Sequence, residues 1–489
     1  MEFRLNEASA LNIKCSVLVV GKFEDQDFNG ELAQVDKKLG GELSKICSEG
    51  DFKGEVGTSL LVSTLSKIKA ERVLVAGLGK RKKLTADVLR KTGISVSKKV
   101  KPFSKKLVYA LGIPLKKDNF SALIEGTLLG TYEFTKYKSD NKKANGIESV
   151  DIVCEVADSN RFDKELGYAE LISDATNFTR DLVNEPPVYL NPTRLATIAE
   201  EIAGENNLKL TILDKEDMLR RRMGGLLAVN KGSTEPPKFI HFTYEPKRKS
   251  GKSIAIVGKG ITFDSGGLSL KPPDSMRTMK MDMAGAGVVM GVMKAISKIN
   301  PPYRVHGLIP STENMTGGGA YKVDDVIRAM NGKTIEVVNT DAEGRIVLAD
   351  ALSYAVELGV GEIVDLATLT GACIVGLGAH TAGIMGNNEN LLNKIKKAAA
   401  LAGEKVWELP LDEDLRKDID SNIADIKNAG SRWGGAITAA MFLENFVSGK
   451  PWAHIDIAGP AFNDKGGRYS PKGGTGFGVR TIIRYLLLS

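Results

Sequence analysis

Short apolar runs that end at glycine recur along this chain, and they restrict its fold more than any other feature. "CSVLVVG" (15–21) and "RVLVAG" (72–77) are apolar and β-branched almost throughout. Such runs read as strands buried on both faces, as in a parallel sheet. "VDIVCEV" (150–156), "KSIAIVG" (252–258), "YRVHGLIP" (303–310), "GEIVDLATLT" (361–370) and "WAHIDIAG" (452–459) read as further strands, not all of them ending at glycine. Helix-like patterns alternate with them at 82–98, about 163–183, 283–298, 344–358, 390–402 and 435–447. Strands alternating with helices imply an α/β fold.

The 489 residues exceed one ordinary core, so two domains are expected. A polar, Lys/Asn-rich stretch precedes the strand at 150, and "NEPPVYLNP" (184–192) breaks regularity with three prolines. The expected division is 1–165 and 166–489, joined by the helix at about 163–183.

With 42% hydrophobic and 26% charged residues, wholesale disorder is excluded. No run of about 18 apolar residues occurs, so no membrane span is expected. The start of the chain lacks the basic and apolar blocks of a signal peptide. Cys15, Cys47, Cys154 and Cys373 are scattered without a CxxC pair, which fits free, mostly buried thiols in a reducing compartment, and hence the cytoplasm. The net charge of +7 is mild for this length; the lysine clusters at 98–106 and 136–145 read as solvated surface. Nucleic-acid contact is the alternative, although no aromatic residues interleave with them as a stacking platform.

Charge beside glycine concentrates in three segments at strand ends, where open α/β sheets build their sites. They are "VGKGITFDSGGLSLKPP" (257–273), "MKMDMAGAG" (279–287) and "NTDAEGR" (339–345). Each has an ordinary reading. Asp282 could cap the helix that follows it, and Asp341 and Glu343 could cap the next one. Lys259 and Lys271 could be solvated turn residues. Together, however, Asp264, Asp282, Asp341 and Glu343 could not share a small site without cations to offset their repulsion. Two divalent ions would do so, and such a donor set suits magnesium, manganese, cobalt or zinc. A lysine can join the ligands only as a neutral amine. Walker A, HExxH and GxSxG motifs are absent. His454, within an apolar strand, reads as a core residue, and His241, His306 and His380 read as isolated.

At these segments the sequence resembles the leucyl, or cytosol, aminopeptidase family. "NTDAEGR", "VGKGITFDSGG", "SLKP", "MKMDMAGA", "ENMTGG" (313–318), "DLATLTGA" (365–372), "ADIKNAG" (424–430) and "PWAHIDIAG" (451–459) match in order and spacing, over about 165–489. The resemblance implies a smaller, variable N-terminal α/β domain. It also implies a larger catalytic α/β/α domain with a central twisted mixed sheet. It implies hydrolysis of the N-terminal residue of peptides, leucine and other apolar residues preferred, by a hydroxide clamped between two metals about 3.5–4 Å apart. Asp264 and Glu343 would bridge the metals, manganese or zinc foremost. Lys259 and Asp282 would complete one site and Asp341 the other. Lys271 would polarise the scissile carbonyl, and Arg345 would hold a bicarbonate ion. Met279, Gly371, Ala458 and Ala461 would line the side-chain pocket, and Thr368 and Leu369 would hold the substrate backbone. A homohexamer is implied, and in some members DNA binding through the first domain.

The chain departs from the family pattern in three places. Val323-Asp324 stands where Pro-Gly is usual, which changes the flexibility of that turn. Gly474 stands where alanine is common, with little effect expected, and Ile346 replaces leucine conservatively.

Overall fold

The computed structural model describes residues 1–114, 117–139, 146–154, 159–247 and 251–489. Most of the second lysine cluster (140–145) and the end of the strand expected at 150–156 lie outside these residues. The chain divides into two compact units: Met1–Asp174 with Gly466–Pro471, and Ala175–Lys465 with Lys472–Ser489. The helix Ser159–Asn184 contributes residues to each.

The first unit is built on a six-stranded sheet. Its order is Glu2–Asn6, Ser149–Val153, Lys106–Ala110, Cys15–Lys22, Ala70–Gly77 and Ser59–Ser63. All pairs are parallel except the last. The uniformly apolar runs have a simple cause. Val17, Val19, Leu74, Leu107 and Tyr109 enter one core, while Leu18, Val20, Val73, Val75 and Val108 enter another. Successive side chains alternate between faces, and helices cover both, so neither parity can be polar. The helix expected from 82 starts later, at Ala86. Arg81–Lys83 forms a 3-10 turn, and the Thr85 hydroxyl caps the helix by accepting from Val88 N.

The second unit carries a nine-stranded mixed sheet. Its centre is parallel: Trp452–Asp456, Glu362–Ala367, Ser253–Gly258 and Arg304–Asn314 lie side by side. Antiparallel pairs flank it, with Thr381–Gly386 on one side and Lys238–Tyr244 on the other. The helix Glu343–Glu357, buried along nearly its whole length, packs on the face that holds Val257, Ile363 and Trp452. That burial explains why apolar residues occur on every side of it, even though Glu343, Arg345, Asp350 and Ser353 are buried with them. The helix Ala284–Ile299 packs against Ser253–Gly258 and Arg304–Asn314.

One irregularity prepares the site. The run from Ser253 breaks at Lys259 and resumes as Gly260–Asp264, which pairs with the far end of Arg304–Asn314. Lys259 N donates to Leu366 O, and Lys259 O accepts from Ala286 N. Two glycines permit this seam. A Cβ on Gly258 would sit 2.3 Å from Gly285 O, and one on Gly285 would sit 2.1 Å from Leu366 O. No helix among the described residues is long and apolar enough to cross a membrane.

Candidate metal centre

The C-terminal ends of the central parallel strands meet at one place. Lys259 follows Gly258, Asp264 ends its strand, Thr368 follows Ala367, and Asn314 and Asp456 end theirs. Asp282 arrives on a 3-10 turn, Met279–Met283, that leads into Ala284–Ile299. Glu343 is the first residue of its helix.

The ordinary readings of the charged residues fail on geometry. Asp282 caps nothing: Met283 holds the N-cap position of its helix, and Ala342 holds that of the helix after Asp341. Neither Lys259 nor Lys271 is a solvated turn residue. Lys259 is only 3% exposed, and its ammonium lies 2.8 Å from Asp282 Oδ1 and 2.9 Å from Glu343 Oε1. Lys271 Nζ lies 2.9 Å from Asp264 Oδ2 and is in direct ion-pair contact with Asp341. Carboxylate oxygens of Asp264, Asp341 and Glu343 lie within 4.8 Å of one another.

Four carboxylates against two ammonium groups leave negative charge uncompensated in a buried space. Burial, and then Glu343, pushes the Asp264 carboxyl up to about 6. Burial also raises Asp282 well above the carboxylate range, against the pull of Lys259. At Glu343 burial is outweighed by Lys259 and Lys271, which hold its carboxyl below the usual value. Two of the carboxylate oxygens, Asp282 Oδ2 and Glu343 Oε2, are buried without a hydrogen-bond partner. Buried acceptors of this kind are rare unless a ligand completes them. An oxygen-rich, crowded and under-satisfied cluster of this kind fits divalent cations.

Arg345 projects from the first turn of the same helix. Nη1 donates to Asn428 O at 2.9 Å, Nε is buried without a partner, and no carboxylate pairs with the guanidinium among the described residues. Burial lowers its pKa to about 10, with Glu343 and Asp456 opposing. Of the residues expected to meet substrate, Thr368 reaches the cluster: its hydroxyl donates to Asp282 Oδ1 at 2.8 Å. Leu369 N and Ala458 N both donate to Asp456 Oδ1, which ties those two loops together. Gly371 opens a short helix, Gly371–Leu377, and Ala461 is buried.

Sequence reasoning passed over Asn314, Asn428 and Asp456. Asn428 accepts from Val338 N and donates to Asn339 O, so it braces the approach to Asp341. All three stand in segments already notable as polar residues at strand ends or beside glycine; that position was the available signal. The histidine readings need one correction. His241 and His306 are not isolated, because His241 Nε2 lies 2.9 Å from His306 Nδ1. His454 is a core residue, fully buried, with Nδ1 2.6 Å from Asp365 Oδ1. Gly474 also needs one: a Cβ there would lie 2.8 Å from Val183 Cβ, so alanine is not a neutral replacement.

Fold and site together define an α/β protein with an acidic, oxygen-donor centre at the ends of its parallel strands. The chain belongs to the cytosol aminopeptidase family. The family's catalytic-domain model matches residues 177–483 and its N-terminal-domain model matches 19–141. A probable cytosol aminopeptidase of Sulfurihydrogenibium sp. is 46% identical over 100% of this chain and 98% of the relative. One from Persephonella marina is 44% identical over 100% and 99%. Among solved structures, a mutant of tomato leucine aminopeptidase superposes with a TM-score of 0.91 at 34% identity, covering 100% of this chain and 97% of that one. The bottromycin maturation enzyme BotP in complex with Mn gives 0.85 at 34% identity, covering 96% and 98%. The protein is therefore an aminopeptidase, a metal-dependent hydrolase acting on peptide bonds.

Proposed function

We propose that this aminopeptidase uses two divalent ions, manganese or zinc, to remove leucine and other apolar residues from peptide N-termini. The observation that carries the reading is the pair of buried, unpartnered carboxylate oxygens at Asp282 and Glu343. Asp264 and Glu343 would be shared by both ions, Lys259 and Asp282 would hold one, and Asp341 the other. When bound, the ions supply a Lewis acid and a water activated near neutral pH.

The chain's own groups do the rest. Burial alone would lower the Lys271 ammonium's pKa, but Asp264, Glu343 and Asp341 outweigh it, so Lys271 stays protonated. It offers a fixed positive charge to a carbonyl oxygen that becomes negative during attack. Arg345, with donors to spare, holds a small anion such as bicarbonate that can take a proton. Met279, Gly371, Ala458 and Ala461 line the side-chain pocket. Thr368 and Leu369 present backbone to the substrate; the Leu369 N–H is already committed to Asp456, so its carbonyl is the available group.

Residues 1–165 form the N-terminal domain and 166–489 the catalytic one in this reading, and the assembly is a homohexamer in the cytoplasm. DNA binding through the first domain gains no support from the lysine cluster at 98–106. Lys98 and Lys99 donate to Gly467 O and Ser59 O, and Lys101, Lys105 and Lys106 pair with Glu133, Glu148 and Asp151. The test is hydrolysis of leucyl anilide by manganese- or zinc-loaded protein, beside the N-acetylated substrate. Cleavage of the free amine only is expected. Failure to cleave it, or equal cleavage of the blocked substrate, overturns the proposal.

A further inference from the structure

Two of the three aspartates of the centre, Asp264 and Asp282, share a feature that their identity alone does not require. Asp264 Oδ1 accepts two hydrogen bonds of 2.8 Å, from Gly266 N and from Asn314 Nδ2. Its other oxygen, Oδ2, faces Lys271. Asp282 Oδ1 likewise accepts two of 2.8 Å, from Lys259 Nζ and the Thr368 hydroxyl, while its Oδ2 has no partner. Each carboxylate is thus tied back at Oδ1 by two donors, while Oδ2 meets only the Lys271 ammonium in Asp264 and has no partner in Asp282.

Asn314 suits this task. It is fully buried at the end of Arg304–Asn314. Its amide nitrogen also donates to Thr340 O at 3.0 Å. Both neighbours can only accept, which fixes the amide orientation. Its backbone carbonyl accepts from Ser265 N and from the Ser265 hydroxyl. One side chain therefore sets the Asp264 rotamer and ties it to Thr340, the residue before Asp341. Thr368 follows the strand Glu362–Ala367; its carbonyl accepts from Lys259 Nζ while its hydroxyl reaches Asp282.

We propose that Asn314 and Thr368 are positioning residues, each tying back one oxygen of a metal-binding aspartate so that only the other is offered to a cation. This rests on the reading of Asp264 and Asp282 as ligands. Asp264 serves both ions in that reading and Asp282 only one, so the two residues have separable effects. Groups that orient metal ligands change affinity by about 10–100-fold when removed.

The experiment is manganese(II) bound per chain, measured by elemental analysis after dialysis against graded free manganese. Thermal unfolding of each variant is followed in parallel. Wild type should bind two ions. Thr368→Val, which keeps the shape and removes the hydroxyl, should weaken one ion by about 10–100-fold and leave the other unchanged. Thr368→Ser should restore wild-type binding, and Asn314→Leu should weaken both ions. If Asn314→Leu does not fold, the Thr368 pair decides. Two ions bound with wild-type constants in Thr368→Val overturn the positioning proposal. Fewer than two in wild type overturn the underlying reading instead.

Discussion

Two buried polar clusters sit on the central sheet of the second unit, and they differ in one respect. In the first, His241 Nε2 meets His306 Nδ1, His241 Nδ1 meets the Tyr354 hydroxyl, and Thr243 Oγ1 lies 3.1 Å from His241 Nε2. These groups satisfy one another. In the second, the cluster of Asp264, Asp282, Asp341 and Glu343, two oxygens are left without partners and carboxylates crowd against carboxylates. A self-satisfied cluster serves the fold; an under-satisfied one is built for something else. Burial and polarity alone do not separate the two cases. Complete hydrogen-bond accounting does.

The comparison can be broken at either cluster. The largest effect is expected from removing metal: dialysis against a chelator should abolish peptidase activity and lower the melting temperature, and manganese should restore both. Activity that survives verified metal depletion would refute the assignment of the acidic cluster. Lys271→Ala comes next. It should lower kcat by about 10²–10³, the range for loss of one charge-stabilising donor, with bound metal retained. Metal analysis beside steady-state kinetics checks both parts.

The histidine cluster should respond to acid instead. Burial lowers the pKa of His241 to about 3, helped by His306, and that of His306 to about 4, helped by Arg304. Both pKa values are depressed, so their contribution is complete above the unfolded value near 6.5 and is lost as pH falls toward 4 and 3. The expected loss is on the order of 3 kcal/mol between pH 7 and 5. Denaturant unfolding of wild type and of a His241→Gln, His306→Gln double variant should show the acid slope reduced in the variant. Equal slopes would remove the cluster as the cause.

Gly344→Ala tests the packing behind the acidic cluster. A Cβ there would lie 2.5 Å from Lys259 Cε and 2.7 Å from its Nζ. Overpacking should cost about 1–3 kcal/mol and displace the lysine from Asp282 and Glu343, read as weakened metal binding. The smallest effect is expected away from both clusters. Asp324 has φ +72, the left-handed region that favours glycine. Its N–H donates to Val337 O at 2.8 Å. Asp324→Gly should stabilise by about 0.5–1 kcal/mol in denaturant unfolding, because a side chain in this region is strained.

The sequence by itself determined the fold class and pointed to the segments that form the candidate site. Runs such as 15–21 could be read because a strand covered on both faces must be apolar at both parities. The lysines, carboxylates and glycines of 257–273, 279–287 and 339–345 were legible because charge at strand ends is costly without a purpose. Only the tertiary structure decided what those charges touch. It showed that Lys259 sits at a break between two strands, that Gly344 is small to admit that lysine, and that neither Asp282 nor Glu343 makes a capping hydrogen bond at its helix start. It also revealed Asn314 and the Thr368 hydroxyl, which lie 50 and 86 residues from the aspartates they hold. Local pattern records which faces are buried and where turns fall. Which donor meets which oxygen depends on how distant strand ends converge, and no periodicity encodes that.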